Sequence, residues 1–399
     1  MRIIVPKLRF KEFNDGWKNT KLSNFITKIT DKNKKYLIKN VISNSAQYGL
    51  IPQKEFFDKD IANDENINNY YIIEKGDFVY NPRKSIEAPY GPVNMYCYSK
   101  KGIISPLYLC FKVFNINKDF LLKYFKTACW HKYIYENGDS GARHDRVSIK
   151  DDLFFELPIF VPSMQEQEKI GKLFELLDKK IELQKQKIEA LKLYKFGFIK
   201  QYFKNLKHYT EVAFDEIGKE YSTSPLGKDL IDENGKKPII FYGDIFTIYE
   251  EIIDEIKNFT NYDIKNIELS EINDIILPSS TTVDALSLIS ASAVHIKGAI
   301  YGGDIILYRI NNNIANSDYV SYQINYDLKH TLAKYAQGST IIHIYFEHFK
   351  KIKLKLPIIK EQEKMVNLFN LLNKKINYEN SKFKVFNYIK KSLLQQLFI

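Results

Sequence analysis

The sequence predicts an α/β (α+β) protein with two globular domains and two long antiparallel coiled-coil helices, arranged as a pseudo-twofold internal repeat. Three observations predict this fold. A short segment occurs twice, each copy continues with an apolar heptad pattern, and each is preceded by a long region in which strand and helix signals alternate. The chain has 399 residues, of which 45% are hydrophobic, so it can form more than one full core.

The repeated segment defines the order of the domains. Residues 165–182 read QEQEKIGKLFELLDKKIE and residues 360–377 read KEQEKMVNLFNLLNKKIN, so the copies lie 195 positions apart without a gap. A Leu-Pro step precedes each copy, at Leu157-Pro158 and Leu356-Pro357. The pattern predicts a first domain, a first spacer helix, a second domain and a second spacer helix, at residues 1–160, 161–206, 207–357 and 358–399.

Each helical segment carries apolar residues at two positions of a heptad, which is typical of coiled coils. The pattern is interrupted at matching places, by Gln184 and Lys195 in the first helix and by Glu379 and Lys390 in the second. In an antiparallel pair, Lys195 would face Glu379 and Gln184 would face Lys390, so two polar pairs would set the register. The overlapping part of about 30 residues would span roughly 45 Å. The alternative is that each helix packs only on its own domain.

The globular regions show apolar runs next to turn residues. The first region has a strand pattern that follows Gly76, a second strand pattern over residues 103–113 and helical spacing over residues 120–135. The second region has similar apolar runs, at residues 238–244, 275–278 and 303–310. We therefore expect two domains of one kind, whose sequences have diverged while the helices stayed alike.

The net charge of +11 suggests a polyanionic partner, although it is unevenly distributed. It is +8 over residues 1–160 and −6 over residues 207–357, which weighs against simple electrostatic binding by the second domain. Only six of the 59 basic residues are arginine, and such a lysine-rich composition also fits the codon usage of an AT-rich genome.

The remaining sequence features indicate an intracellular protein. The three cysteines are isolated, which predicts neither a disulfide framework nor a structural zinc site. No apolar run approaches the ~18 residues of a spanning helix, and the charged start does not resemble a signal peptide. We expect a cytoplasmic protein that does not bind membranes.

No catalytic motif occurs in the sequence with its full set of residues. There is no phosphate-binding glycine loop, no glycine-rich cofactor turn and no amino-methyltransferase signature. Asp244 with Glu255 and Lys257 matches a loose nuclease spacing, which chance explains in a chain rich in lysine and glutamate. The turn at Gly138-Asp-Ser-Gly141 lacks the partners of a serine nucleophile. The sequence therefore predicts a binding protein without a metal site rather than an enzyme.

The repeated helix and the start of the chain together resemble one family. The chain opens with Pro6-Lys-Leu-Arg-Phe-x-x-Phe and Gly16-Trp17, and twice a Leu-Pro step is followed by Glu-Gln-Glu-Lys at the start of a long helix. This combination looks like the specificity subunit of Type I restriction–modification systems, and the resemblance covers the whole chain.

The resemblance implies a division of labour. Each globular domain would read one half of a split site in double-stranded DNA, and the antiparallel helices would hold the two readers about one DNA turn apart. Two methyltransferase subunits would dock on the chain and use S-adenosylmethionine, while restriction subunits would add translocation and cleavage driven by ATP and Mg²⁺. This chain itself would hold no cofactor. The family does not explain why the second domain is acidic.

The candidate DNA-binding residues lie in or next to predicted turns and carry side chains that can contact DNA. Arginine suits guanine, and asparagine or glutamine suits adenine. The first-domain candidates are Arg83, Lys84, Arg143, His144 and Arg146, with Tyr48 and Tyr90 for stacking or sugar contacts. The second-domain candidates are Ser279, Ser280, Thr281, Thr282, Gln337, Ser339, Thr340 and His343.

Two other classes of function remain open at this point. One is a nuclease that carries its own target domains, which would cleave DNA alone with a divalent metal. The other is a tether whose coiled coil bridges two partners that are not DNA. Retention on duplex DNA, and its salt dependence, would separate the tether from a DNA reader.

Overall fold

The computed structural model describes residues 4–34, 37–55, 67–138, 145–147, 149–262 and 267–399. The chain divides into two compact units, one formed by Met1–Lys185 with Ser381–Ile399 and the other by Gln186–Asn380. Each unit thus combines one globular region with parts of both long helices.

Unit 1 is a mixed domain of short strands and helices. Its described strands are β1 (Lys18–Lys21), β2 (Ile26–Lys28), β3 (Ile42–Ser45), β4 (Gly49–Pro52), β5 (Tyr71–Ile73), β6 (Phe78–Tyr80), β7 (Val93–Met95), β8 (Gly102–Ile104), β9 (Leu109–Val113) and β10 (Pro158–Val161). Its helices are α1 (Lys118–Tyr124), α2 (His131–Asn137), α3 (Asp151–Phe155) and the first part of α4 (Met164–Asn205). An antiparallel sheet of order β2-β9-β6-β7 forms its centre.

Unit 2 has the same kind of architecture. Its described strands are β11 (Thr210–Ala213), β12 (Gly218–Tyr221), β13 (Lys237–Ile240), β14 (Ile252–Ile253), β15 (Asn258–Thr260), β16 (Asp274–Pro278), β17 (Ser280–Thr281), β18 (Ser292–Val294), β19 (Ile300–Tyr301), β20 (Ile305–Ile310), β21 (Ile342–His343) and β22 (Lys353–Leu356). Its helices are α5 (Phe214–Ile217), α6 (Tyr242–Thr247), α7 (Ala285–Leu288), α8 (Ser317–Gln323), α9 (Lys329–Ala333), α10 (Phe346–Phe349) and most of α11 (Ile359–Gln396).

The central sheet of unit 2 repeats that of unit 1 and adds one strand. Its order is β12-β20-β16-β18-β14, so β16 and β20 lie side by side as β6 and β9 do in unit 1. The first four strands are antiparallel and β14 joins in parallel. The predicted α+β class is therefore confirmed in both domains.

Two predicted elements of the first domain are each divided in the structure. The run over residues 103–113 forms β8 and β9, separated by a turn at Ser105-Pro106, where proline has no N–H to donate to a sheet. The helical pattern over residues 120–135 forms α1 and α2, separated by a bend. Phe125 and Trp130 in this bend are buried in the core. The apolar spacing at these positions therefore reflects burial and not one face of a continuous helix.

A buried glutamine joins each domain to the start of its long helix. In unit 1, Gln167 Oε1 accepts the N–H of Asn117 at 2.9 Å, and its Nε2 donates to the carbonyl of Pro162 at 2.9 Å. In unit 2, Gln362 accepts the N–H of Asn316 at 2.9 Å and donates to the carbonyl of Pro357 at 2.7 Å. Both asparagines are N-caps, of α1 and α8, so one side chain sets the position of a neighbouring helix.

These contacts identify the structural counterparts around the repeated segment. Because Pro162 and Pro357 make the same bond, they are equivalent, whereas Pro158 lies at the start of a strand. The Leu-Pro steps that the sequence analysis matched are therefore displaced from one another. The true counterpart of Leu356 is Val161, which ends β10 as Leu356 ends β22.

Both units pack the two long helices against each other in antiparallel direction. In unit 1, Asp178 pairs with Lys390 at 2.7 Å and the ammonium of Lys180 lies 4.6 Å from the ring centroid of Phe386. In unit 2, Lys187 pairs with Glu379 at 2.9 Å, and the ring centroids of Phe198 and Phe369 are 6.2 Å apart. In each unit the residue number rises along one helix while it falls along the other.

The expected register of these helices is wrong. Glu379 pairs with Lys187 rather than Lys195, and Lys390 pairs with Asp178 rather than Gln184. Each observed partner lies six to eight residues, about one heptad, from the expected one. The reason is that residues of the heptad seams also contact the domains. A scheme that pairs only the two helices therefore leaves out the domain residues that bind them.

Lys195 finds its partner in the second domain. Its ammonium lies 2.8 Å from Glu251, which also accepts bonds from Tyr326 at 2.5 Å and Asn373 at 3.2 Å. Burial alone would raise the pKa of Glu251, but the charge and hydrogen bond of Lys195 and the hydroxyl of Tyr326 hold this pKa below its usual value. A buried lysine of α4 is thus paired with a buried carboxylate of the second domain rather than with the other long helix.

The domain cores include residues from the ends of both helices. Ile170 and Phe174 of α4 join the core of unit 1, together with Leu397 and Phe398 that follow α11. In unit 2 the core includes Ile199 and Phe203 of α4, with three residues near the start of α11, namely Met365, Val366 and Phe369. The alternative that each helix packs only on its own domain is therefore not what the structure shows.

We predict that Gln362→Ala destabilises unit 2 by about 1–3 kcal/mol, because it leaves the buried N–H of Asn316 and the carbonyl of Pro357 without a partner. Urea unfolding of the whole chain measures the effect. Gln395→Ala, an exposed position on the same helix, is the control and should change stability by less than about 0.5 kcal/mol. Equal effects of the two substitutions would contradict the role assigned to Gln362.

We also predict that the stability of the chain falls between about pH 6.5 and 9 because of His295. Its Nε2 lies 2.6 Å from Asp318 and its Nδ1 lies 2.7 Å from Asp254. The hydrogen bond and charge of Asp318, with a smaller contribution from Asp254, raise the pKa of His295 to about 9. A raised histidine pKa stabilises the folded state below the unfolded pKa, and this stabilisation is lost as the pH rises through the folded value.

Urea unfolding at pH 6 and pH 9 tests this prediction. His295→Gln should reduce the difference between the two pH values, whereas His208→Gln, at an exposed position, should leave it unchanged. If His295→Gln keeps the full difference, the pH dependence arises elsewhere.

Candidate nucleic-acid interface

The first-domain candidates meet where the loop after β6 contacts a returning segment. Arg83 and Arg146 form an antiparallel bridge, and the N–H of Lys84 donates to the carbonyl of Asp145 at 2.8 Å. The N–H of Val147 donates to the carbonyl of Pro82 at 2.9 Å, which completes the contact. We call this pair of segments, residues 82–84 and 145–147, junction 1. It brings three of the candidates together, Arg83, Lys84 and Arg146, while Arg143 and His144 lie outside the described residues.

Junction 1 is held by a buried asparagine. The amide of Asn81 donates to the carbonyl of Asn44 at 3.1 Å, and its Oδ1 accepts the N–H of Arg83 at 3.0 Å. Gly91 passes so close that a Cβ there would lie 2.1 Å from the carbonyl oxygen of Asn81, and its φ of +84° also favours glycine. The backbone that presents Arg83 is therefore fixed from both sides.

The two arginines differ in exposure and in partners. The side chain of Arg83 is 67% exposed and its contact with Asp145, at 3.7 Å, is weak. Arg146 is half-buried, and its Nε donates to none of the described residues. A cavity of about 260 Å³ lies beside it, lined among others by Tyr80 and Tyr108. Because an unpaired buried donor is costly, Arg146 is suited to an acceptor from outside the chain, such as a phosphate or a base edge.

Tyr48 and Tyr90 lie in different environments. Tyr48 is 56% exposed in the turn between β3 and β4, so its proposed contact with nucleic acid stays a prediction. Tyr90 is half-buried against the core, and its ring centroid is 4.8 Å from that of His131. Its carbonyl accepts the hydroxyl of Tyr80 at 2.9 Å. Tyr90 thus supports the fold around junction 1.

The second-domain candidates also meet, in the same manner. Ser280 pairs with His343 and Thr281 with Ile342, in the ladder between β17 and β21. The N–H of Ile344 donates to the carbonyl of Ser279 at 3.0 Å. We call these segments, residues 279–282 and 337–344, junction 2.

The side chains of junction 2 differ in how exposed they are. Ser280 and Thr281 are each 7% exposed, so they act mainly through the ladder. His343 is half-buried, and the exposed candidate residues are Thr282, Gln337, Ser339 and Thr340. Gln337 and His343 exchange two backbone hydrogen bonds, of 2.8 and 2.7 Å, and so close a tight loop. Gly338 is required in this loop, because a Cβ there would lie 2.0 Å from the carbonyl oxygen of Ile341 and its φ is +125°.

The two junctions are built on equivalent strands. β6 follows a turn that Asp77 closes by accepting the N–H of Glu74 at 2.8 Å, and β16 follows a turn that Asp274 closes in the same way with Glu271 at 2.8 Å. The residue before each aspartate has positive φ, Gly76 at +90° and Asn273 at +86°. The strand then leads to the bond of Pro82 with Val147 or of Ser279 with Ile344. Both domains therefore present the same backbone arrangement with different side chains.

One exposed aromatic residue next to junction 2 was missed by the sequence analysis. Tyr345 is 53% exposed, and its ring lies parallel to that of His343 with centroids 6.1 Å apart. Such a flat pair is suited to contact a sugar or a base face. The signal in the sequence was the spacing of two residues, which places both side chains on one face of an extended segment.

The residues with a nuclease-like spacing do not form one site. Asp244 is buried at the start of α6, where it accepts the N–H of Phe241 at 3.0 Å and the amide of Asn258 at 2.9 Å. Glu255 instead pairs with Lys257 on the surface. Across the described part of the chain, no group of three or more His, Cys, Asp or Glu side chains is arranged to hold a metal ion. No described helix is both long and apolar enough to cross a membrane.

The chain thus consists of two equivalent domains, each with a loop junction at the end of a central strand. The family model of the "Type I restriction modification DNA specificity domain" matches the chain twice, over residues 14–193 and 208–385. The chain therefore belongs to this family and carries two specificity domains, which makes it a DNA sequence-recognition subunit.

Solved structures with the same fold agree with this assignment. The HsdS subunit from Thermoanaerobacter tengcongensis is 12% identical with a TM-score of 0.51, and the comparison covers 97% of this chain and 98% of that one. The S subunit of a Type I system from M. genitalium is 16% identical with a TM-score of 0.53, over 99% of both chains.

A chain from a study of assembly and conformational transition of the type I R-M system is 10% identical with a TM-score of 0.62, over 97% of this chain and 99% of that one. At these identities the likeness establishes the fold. A comparison with curated protein sequences found no match.

Proposed function

We propose that this chain reads a split, asymmetric DNA site, one half with each domain, and that catalysis belongs to its partner subunits. The observation that supports this most directly is the pair of equivalent junctions with different side chains. Junction 1 presents Arg83 and Arg146, whereas junction 2 presents hydroxyl, amide and imidazole groups around His343. One backbone arrangement with two sets of side chains suits two half-sites of different sequence.

The chemistry of each junction suggests what it reads. Arginine makes bidentate hydrogen bonds to guanine and to phosphate, so junction 1 is suited to a guanine-containing half-site. Gln337 in junction 2 can pair with adenine, and the exposed hydroxyls of Thr282, Ser339 and Thr340 can donate to phosphates or to base edges.

The acidic character of the second domain does not oppose this function. Its negative side chains include Glu251, which neutralises Lys195 of α4, and Asp274, which holds Arg309 at 2.6 Å. With the helix segments included, unit 2 has a net charge of −1 instead of −6. Asp274 is also at the opposite end of β16 from junction 2. Glu251 thus balances a helix lysine and Asp274 balances an arginine of the domain itself, and junction 2 binds through local contacts.

We assign separate roles to the long helices and to the partner subunits. The antiparallel helices would act as a ruler that sets the distance between the half-sites, and they would offer docking faces to two methyltransferase subunits. Those subunits would supply S-adenosylmethionine, and restriction subunits, where the host has them, would supply cleavage with ATP and Mg²⁺. The complex would work in the cytoplasm.

Sequencing of methyladenine tests the proposed function. Cells that express this chain with a methyltransferase partner should gain a new split motif with methylated adenines, compared with cells that lack the chain. Replacement of residues 1–160 by the corresponding domain of another specificity chain should change one half of the motif only. The control is the same partner with a specificity chain of known activity. If the control methylates DNA and this chain gives no new motif, the proposal is wrong and a tether becomes the better account.

A further inference from the structure

The beginning of α11 borders an open apolar cavity in unit 2. The cavity measures about 640 Å³, and its lining includes Phe198, Tyr202, Leu206 and Ile358, with Glu361 among them. Ile358 is 76% exposed, so its side chain adds to the exposed apolar surface around the cavity.

The internal repeat shows what covers the same surface in unit 1. The counterparts of Gln201, Tyr202 and Glu361, 195 positions away, are Gln396, Leu397 and Glu166. In unit 1 the N-terminal segment lies against this surface. The N–H of Leu8 donates to the carbonyl of Gln396 at 3.0 Å, and Phe10 packs on the core cluster that contains Leu397.

Two charged contacts fix the N-terminal segment in place. The guanidinium of Arg9 binds both carboxylate oxygens of Glu166, at 2.8 and 2.7 Å, and leaves that carboxylate only 1% exposed. The ammonium of Lys169 lies 4.8 Å from the ring centroid of Phe10 and pairs with Glu12. A segment with the pattern arginine, aromatic, any residue, acid therefore sits on a helix with the pattern Glu-x-x-Lys.

Unit 2 keeps the Glu-x-x-Lys receptor, formed by Glu361 and Lys364, but among its described residues no corresponding segment covers it. Glu361 and Lys364 repeat the Glu-x-x-Lys spacing, yet their side chains lie 3.6 Å apart and are 40% and 73% exposed. Only residues 206–209 separate the end of α4 from β11, whereas 17 residues precede β1. Four residues are too few to leave the helix, cover the cavity and return to the strand.

We infer that this cavity binds an extended segment of a partner protein, in which an arginine is followed directly by an aromatic residue and, two positions later, by an acidic residue. The arginine pairs with Glu361, the aromatic ring enters the apolar cavity beneath Lys364, and the acidic residue pairs with Lys364. This inference does not depend on DNA recognition, because the receptor lies on the helix rather than at a junction.

A labelled peptide of residues 5–14 of this chain, which contains Arg9, Phe10 and Glu12, is the probe. Fluorescence anisotropy with the full chain should show saturable binding. Glu361→Gln should weaken binding at least about tenfold, which corresponds to about 1.4 kcal/mol. Arg9→Ala in the peptide should have a similar effect. The matched control is Glu363→Gln, at an exposed position on the same helix, which should leave binding unchanged.

A second variant tests the cavity itself. Ile358→Lys changes an exposed side chain, so it should preserve folding, and it places a competing cation beside Glu361. Peptide binding should be lost while the urea unfolding curve stays the same. Absence of saturable binding to the unmodified chain would overturn the inference. Binding that both variants leave unchanged would also overturn it, since the peptide would then occupy another site, such as the one around Glu166.

Discussion

The architecture depends on one buried side chain that occurs twice. Gln167 and Gln362 each connect three pieces of chain, because each binds the proline before its own helix and the N-cap asparagine of a neighbouring helix. A buried amide makes all these bonds only in one arrangement, so it fixes how each domain is seated on its long helix. The core residues at the helix ends then have defined neighbours. The same constraint explains why the Glu-Gln-Glu-Lys segment is the part of the repeat that is still visible in sequence.

The repeat of the helices could be predicted from sequence, but the equivalence of the junctions could not. The helical repeat depends on side chains such as Gln167 that take part in specific bonds, and these have kept their identity in both copies. The equivalence of the junctions instead rests on backbone bonds, such as that of Pro82 with Val147 and of Ser279 with Ile344, which any residue type can make. The residue types that each junction does require, Asn81 in one and Gly338 in the other, are not shared. The sequence analysis therefore named turns in both domains without showing that they form two equivalent pairs, and their contact with DNA stays a prediction.

The register of the helices could not be predicted from the sequence, for a different reason. A heptad pattern identifies polar residues in an apolar seam, but it does not show whether their partner lies on the other helix or on a domain. Lys195 is buried and paired with Glu251, 56 residues further along the chain. Once a domain supplies that partner, the helices are free to pair one heptad away, where Lys187 meets Glu379 and Asp178 meets Lys390. The heptad pattern alone predicts the wrong register here because the second domain, as a third element, also contacts the apolar seam.

The two units share one domain architecture but differ in their surfaces. Unit 1 has a net charge of +12 and an arginine-bearing junction, and its helix start is covered by the N-terminal segment. Unit 2 is nearly neutral, has an uncharged junction and leaves the corresponding surface open. Differences of this kind are expected when two domains descend from one plan but contact different half-sites and different neighbours.

The central claim is that each junction contacts its own half of a split site. Site-specific photo-crosslinking tests it most directly, with a photoreactive amino acid at position 83 in one sample and at position 282 in another, since both side chains are exposed. The complex with its methyltransferase partner is irradiated on duplex DNA that carries the recognised site, and the crosslinked nucleotides are mapped. The account predicts crosslinks from position 83 in one half-site and from position 282 in the other, separated by the unread spacer. Crosslinks from both positions in the same half-site, or crosslinks spread evenly over the duplex, would contradict it.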